Sequence, residues 1–214
     1  MTVQPAEARL QFQFEDLPKQ AHAARLGMWA FLGSEVLFFG ALFTLYATYR
    51  SEYPSDFARG TRAMDLLLGS ANTVILITSS FLVALAVFGV RTGASRRVAR
   101  LLVAASALGV VFLVLKGIEY AHHFADGIYP GRWFHDPALP GQGMRIFFTL
   151  YYLMTGFHAL HVAVGIVLLL VLARMSSRGR FTEAWHTPLE LGGLYWHLVD
   201  VVWIFLWPVF YLLR

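Results

Sequence analysis

A carboxylate or lysine at the centre of a membrane-spanning helix costs roughly 2.5 to 3.5 kcal/mol to insert, so each one needs a partner, a wet cavity or a task. Glu35 lies ten residues beyond Arg25, about 15 Å along a helix axis at 1.5 Å per residue, too deep for its side chain to reach water. Two chemistries suit it: a neutral acid hydrogen-bonded to a neighbouring helix, or a proton-exchanging group. His158 with His161, and His197 with Asp200, have the i, i+3 spacing that puts both members on one helix face. Their helices run antiparallel, and counting from Arg145 and Glu190 brings the two pairs to similar depths. If they meet, histidines from two helices can ligate a b-type haem, and His with Asp can hold a metal or relay protons. The alternative is a structural polar cluster whose interhelical hydrogen bonds contribute about 1 kcal/mol each. Lys116 and Glu119, one turn apart near the outer end of their helix, read as a structural ion pair, with snorkelling covering part of the cost.

The elements that carry these residues follow from composition. Of 214 residues 57% are hydrophobic and 14% charged, against about 25% charged in a soluble domain. The apolar excess requires lipid as solvent. A bilayer core takes about 20 apolar residues per helix, and five such runs are present, at about 25–49, 64–90, 98–120, 146–172 and 191–213. The expected fold is therefore all-α, a five-helix transmembrane bundle over 25–214 preceded by a polar tail over 1–24 without signal-peptide character. Pro208 falls near the end of the last run, where a missing donor is tolerable.

Positive residues are retained preferentially in the cytoplasm. Arg9, Lys19, Arg25, Arg91, Arg96, Arg97, Arg100, Arg174, Arg178 and Arg180 lie on the N-terminal side, against Arg50, Arg59, Arg62, Arg132, Arg145 and Arg214 opposite. This predicts an N-terminus inside and, after five spans, a C-terminus outside. The net charge of +4 is spread over helix ends rather than one face, so no nucleic-acid partner is expected. The absence of cysteine excludes disulfides, thiolate zinc, iron–sulfur and thiolate copper sites. Small residues at Gly69–Thr73, at 104–107 and at Gly109 predict close helix approaches. The six tryptophans, mostly near span ends, suit interfacial anchoring.

Taken in order, the motifs resemble those of the third core subunit of haem–copper respiratory oxidases. The first span carries Arg25-Leu-Gly-Met-Trp-Ala-Phe-Leu-Gly-Ser-Glu35-Val-Leu-Phe-Phe39 and the second Asn72-Thr-Val-Ile-Leu-Ile-Thr-Ser79. Glu119-Tyr120, Thr155-Gly-Phe-His158-Ala-Leu-His161-Val and Tyr195-Trp-His197-Leu-Val-Asp200-Val-Val-Trp203 follow, one to a span. The resemblance implies a bacterial inner-membrane subunit that holds no haem or copper, contains no catalytic residue or metal ligand, and packs against catalytic subunit I in a complex with subunit II. Haem and copper then belong to the partners. It implies bound phospholipid, with Arg25, Arg174, Arg178 and Arg180 as candidates for its phosphates, and support of proton uptake, with Glu35 as the intramembrane carboxylate. It also favours the structural reading of His158, His161, His197 and Asp200.

Many relatives have seven spans and this chain lacks the first two, as shorter bacterial forms do, so the lipid cleft is open or completed by another subunit. The outer segment 130–145, with Pro137 and Pro140, is longer than a simple turn. Cytochrome c is the expected electron donor; quinol oxidases and nitric oxide reductase accessory subunits share these features. A free-standing b-type cytochrome using His158 or His161 with His197 is the rival from another class. A transporter would show inverted repeats or broken helices, and neither is evident.

Overall fold

Asp16 accepts a hydrogen bond from the Lys19 backbone N–H at 2.7 Å, and Pro18 occupies the first turn. That cap starts α1 at Leu17, inside the segment read as tail, and the helix runs to Glu52. The computed structural model describes residues 10–90, 95–134, 141–182 and 185–213. Arg9, Arg91 and Arg214 of the charge count, and Pro137 and Pro140 of the outer segment, lie outside them. After α1 come α2 (Pro54–Ala63), α3 (Leu66–Val90), α4 (Ser95–Ala125), α5 (Gln142–Ser177) and α6 (Thr187–Trp207). Five of the six, all but α2, are long and apolar enough to cross a membrane, and each corresponds to one predicted span.

Helix α2 was not expected. Its cause is local: Pro54 in the first turn, Asp56 near the helix N-terminus, and Phe57, Gly60 and Thr61 on one buried face. Gly60 lets the Phe147 ring of α5 approach so closely that a Cβ would lie 2.5 Å from it. At the other end of the chain, α6 widens at Pro208 into a π-helical turn, Pro208–Leu212. Proline has no N–H to offer and its ring crowds the carbonyl four residues back. The wider turn closes instead with a bond from the Leu213 N–H to the Pro208 carbonyl, 3.0 Å.

Helices α3, α4, α5 and α6 pack in a ring, each against the next and α6 back onto α3. Helix α1 leans on α5 and α6 from outside, and its buried residues are Leu32, Phe39 and Tyr46, spaced by seven. Only 11% of its apolar stretch is buried, against 50% for α6. Trp29, Val36 and Leu37 are exposed along an open groove between α1 and α6, facing Leu194, Leu198 and Val201, which lipid or another chain must cover.

The small residues do create close approaches. The Trp196 indole of α6 slots between Gly109 of α4 and Gly165 of α5, where Cβ atoms would sit 2.8 and 2.7 Å from the ring. It donates to Ser79 Oγ at 3.1 Å. Trp203 is likewise enclosed and donates to Thr73 Oγ1 at 3.0 Å. These two tryptophans are core residues, which corrects the expectation of interfacial anchoring for them; Trp29 and Trp133 remain exposed. Gly165→Ala is expected to displace Trp196 and cost about 1–3 kcal/mol by overpacking, read as a lower thermal midpoint in detergent. An unchanged midpoint would mean that the indole can shift freely.

Candidate functional site

Glu35 stands at the middle of α1, on the side that meets α5. Its Oε2 lies 3.1 Å from His161 Nε2, and both side chains are less than one-fifth exposed. His161 Nδ1 is 2.7 Å from the Phe157 carbonyl. A carbonyl only accepts, so Nδ1 carries a proton and Nε2 faces the carboxyl group. The pair then has two states of equal net charge: a protonated acid donating to neutral imidazole, or a carboxylate accepting from imidazolium. One proton is shared in either state, which lets an acid sit at mid-membrane without a bare charge. Phe39 packs edge-on to the imidazole at 5.4 Å, and the Tyr195 hydroxyl donates to the His161 carbonyl at 3.0 Å. The seam of α1, α5 and α6 thus holds the pair from three sides.

The four residues expected as one cluster separate into three environments. His161 belongs with Glu35. His197 Nδ1 is 2.6 Å from Ser80 Oγ on α3, and the same hydroxyl serves Asp200, whose Oδ1 is left without a partner among the described residues. His158 is buried with both ring nitrogens unpartnered, held between Phe112 at 5.5 Å and Trp203 at 5.3 Å. The i, i+3 spacing predicted one face for each pair, but on α5 His158 faces Phe112 and Trp203 while His161 faces Glu35 and Phe39 of α1. Aromatic rings occupy the space on both sides of His158 that a planar macrocycle would need, and His161 and His197 have partners of their own. Among the described residues no group of three or more His, Asp or Glu is placed to hold a metal ion.

Lys116 and Glu119 do form an ion pair, Nζ to Oε2 2.9 Å, but they do not snorkel: both are enclosed by the bundle. The expectation failed because partners arrive from other helices. Lys116 Nζ also donates to Tyr151 Oη of α5 at 2.8 Å and Tyr211 Oη at 3.0 Å, and Tyr211 donates to Glu119 Oε1 at 2.6 Å. Four aromatic rings lie within 4.7–5.6 Å of the ammonium. Inward-facing hydrogen bonds replace the water that snorkelling would have sought.

The four arginines proposed for lipid are not equivalent. Arg25 is joined to Glu190 at the start of α6, 3.0 Å, and His186 holds the other oxygen of that carboxylate at 3.0 Å. It ties α1 to α6. Arg174 lies beside Arg100 at one end of a groove of about 540 Å³ between α4 and α5, floored by Val103, Ala104, Ala107 and Leu170. Arg178 and Arg180, just beyond α5, are exposed.

With this geometry in place, sequence comparison is decisive. The family model described as cytochrome c oxidase subunit III matches residues 11–213. The chain belongs to the cytochrome c oxidase subunit III family. Cytochrome c oxidase subunit 3 of Synechocystis is 35% identical over 188 residues, covering 87% of this chain and 74% of the relative. The protein of the same name from Thermostichus vulcanus is 34% identical over 191 residues, 88% of this chain and 86% of the relative. The probable cytochrome c oxidase subunit 3 of Mycobacterium leprae is 31% identical over 189 residues, 88% and 87%.

Within this subunit III fold, sequence reasoning found Glu35 and His161 but not that they pair, and found Lys116 and Glu119 but not Tyr151 and Tyr211. Ser80, Arg100 and Glu190 were missed as well. A serine directly after the Asn72–Ser79 motif and a second arginine at the same end of the bundle as Arg174 were visible signals. The tyrosines gave none, because Tyr211 reaches Lys116 from 95 positions away.

Proposed function

We propose that the chain is the third core subunit of a proton-pumping haem–copper oxidase that takes electrons from cytochrome c. It spans the bacterial cytoplasmic membrane with its N-terminus inside and packs against catalytic subunit I, alongside subunit II. Haem and copper reside in those partners. The observation that carries the proton-linked part is the 3.1 Å contact between Glu35 and His161 at the middle of α1, the least buried of the five long apolar helices. Such a pair can pass its proton between carboxyl and imidazole without creating net charge in lipid, and its partial exposure leaves a path for exchange. The open apolar groove between α1 and α6, and the low burial of α1, support a subunit role, since such a surface suits a neighbouring helix or lipid.

A complex purified without this chain should reduce oxygen at first and then lose activity or take up protons more slowly under sustained turnover. Equal activity with and without the chain over prolonged turnover would contradict the reading.

Lipid binding is assigned to the groove between α4 and α5, where Arg100 and Arg174 meet a headgroup phosphate and the apolar floor takes an acyl chain. Arg100→Gln with Arg174→Gln is expected to lower the anionic phospholipid retained by the purified complex several-fold, measured by lipid mass spectrometry. Unchanged lipid content would move the site elsewhere.

A further inference from the structure

The buried cluster around Lys116 contains more oxidisable rings than an ion pair requires, and they are in an ordered line. Trp203 lies 6.5 Å from Tyr211 between ring centres. Tyr211 and Tyr151 are bridged by the Lys116 ammonium. Tyr151 is 5.2 Å from Tyr152, and Tyr120 stands beside both at 5.7 and 4.9 Å. Tyr152 stacks on Phe124 at 5.4 Å, and Phe124 stacks on Tyr129 at 5.2 Å with planes only 7° apart. Tyr129 is 39% exposed beyond the end of α4. The line therefore runs from the middle of the bundle to its outer surface with ring-to-ring separations short enough for fast electron exchange.

We infer that Tyr211 with Glu119 is a proton-coupled redox site, and that the aromatic line carries oxidising equivalents from the bundle interior to Tyr129. The chemistry is set by Lys116. With an ammonium 4.7–5.6 Å from the rings, a cationic ring radical is repelled, so a phenol here loses its electron only if its proton leaves too. Tyr211 has the acceptor in place, since its hydroxyl already donates to Glu119 Oε1 at 2.6 Å. Lys116 bonds the other carboxylate oxygen and keeps Glu119 ready to accept.

The oxidant is a one-electron oxidant formed from partly reduced oxygen, and its presence rests on the oxidase reading above. It gains one electron; the Tyr211 O–H bond breaks, the proton passes to Glu119, and a neutral phenoxyl radical remains. An electron then steps inward along the line from Tyr129, which releases its own proton to water, while Glu119 returns the proton to Tyr211. A small reductant in the outer aqueous phase donates one electron to Tyr129, and water supplies the proton. Atoms and charge balance at each stage, and the chain ends unchanged.

The test exposes the purified complex to hydrogen peroxide with a nitroso spin trap and locates adducts in this chain by mass spectrometry. Adducts are expected on Tyr129 and should fall several-fold in Tyr211→Phe. Tyr129→Phe, an exposed change that leaves the buried network intact, should shift adducts to Tyr152 or Tyr120 and increase oxidation of Trp203. This second variant decides the matter if Tyr211→Phe fails to assemble. Equal Tyr129 labelling with and without the Tyr211 hydroxyl, or unchanged inner oxidation in Tyr129→Phe, would overturn the relay. Haem in the partner subunits converts the peroxide to the one-electron oxidant, so co-purifying haem and oxygen consumption report on the oxidase reading separately: a preparation with both but no Tyr211-dependent labelling overturns the relay alone, and one without haem contradicts the oxidase reading.

Discussion

Glu119→Leu with Lys116 retained is expected to be the most damaging single change in the chain, costing about 3–5 kcal/mol and depleting the subunit from the purified complex. The reason lies in what remains. Lys116 would keep its ammonium deep in the bundle with only Tyr151 and Tyr211 hydroxyls to face it, and Tyr211 would lose its acceptor. The cost of an uncompensated buried charge far exceeds the worth of the pair itself. Lys116→Met leaves the mirror-image problem, a buried carboxylate with one tyrosine donor. The double change Lys116→Met with Glu119→Leu removes both charges and should recover much of the loss, since an apolar replacement of similar volume is often neutral. A double-mutant cycle on thermal midpoints in detergent measures this coupling. Single variants with near-normal midpoints would show that the pair is wetter than its enclosure implies.

Glu35→Gln has the opposite signature: intact assembly with altered function. The amide can still donate a hydrogen bond toward His161 Nε2 across the 3.1 Å separation, so the α1–α5 seam should hold. It cannot release a proton. The expected result is normal initial oxygen consumption followed by a several-fold shorter active lifetime, or slower proton uptake, during sustained turnover. His161→Phe is predicted to behave differently, because it strands Glu35 without a partner and should loosen α1 as well. Unchanged performance of Glu35→Gln under prolonged steady state would remove the proton-linked role and leave a hydrogen bond that merely pins two helices.

The five long helices were legible because a bilayer demands runs of about 20 apolar residues, and that demand is written locally. Helix α2 was overlooked despite Pro54, Asp56 and the buried Phe57–Thr61 face, because a short amphipathic helix in a connecting segment carries no such length constraint. The Glu35 site was half legible. A carboxylate at mid-span announces itself by its cost, yet which imidazole meets it depends on how α1 leans on α5. Spacing along one helix gives a face; it does not give the neighbour. The same limit explains the division of His158, His161, His197 and Asp200, and the reading of Lys116 as a snorkelling residue. Depth alone suggested an escape to water, while Tyr151 and Tyr211 from distant parts of the chain made an interior solution available. Arg25 looked like a lipid ligand from its position, and it is Glu190, also from a remote helix, that takes it.

The central claim is that this chain is a subunit of a haem–copper oxidase whose haem is held by its partners. Purifying it in mild detergent through a tag, then recording the optical spectrum and identifying every co-purifying protein, tests that most directly. The account predicts haem absorbance together with a large, histidine-rich partner subunit, and no Soret band once this chain is separated from it. A Soret band retained by the isolated chain would contradict the account and make His158, His161 or His197 haem ligands.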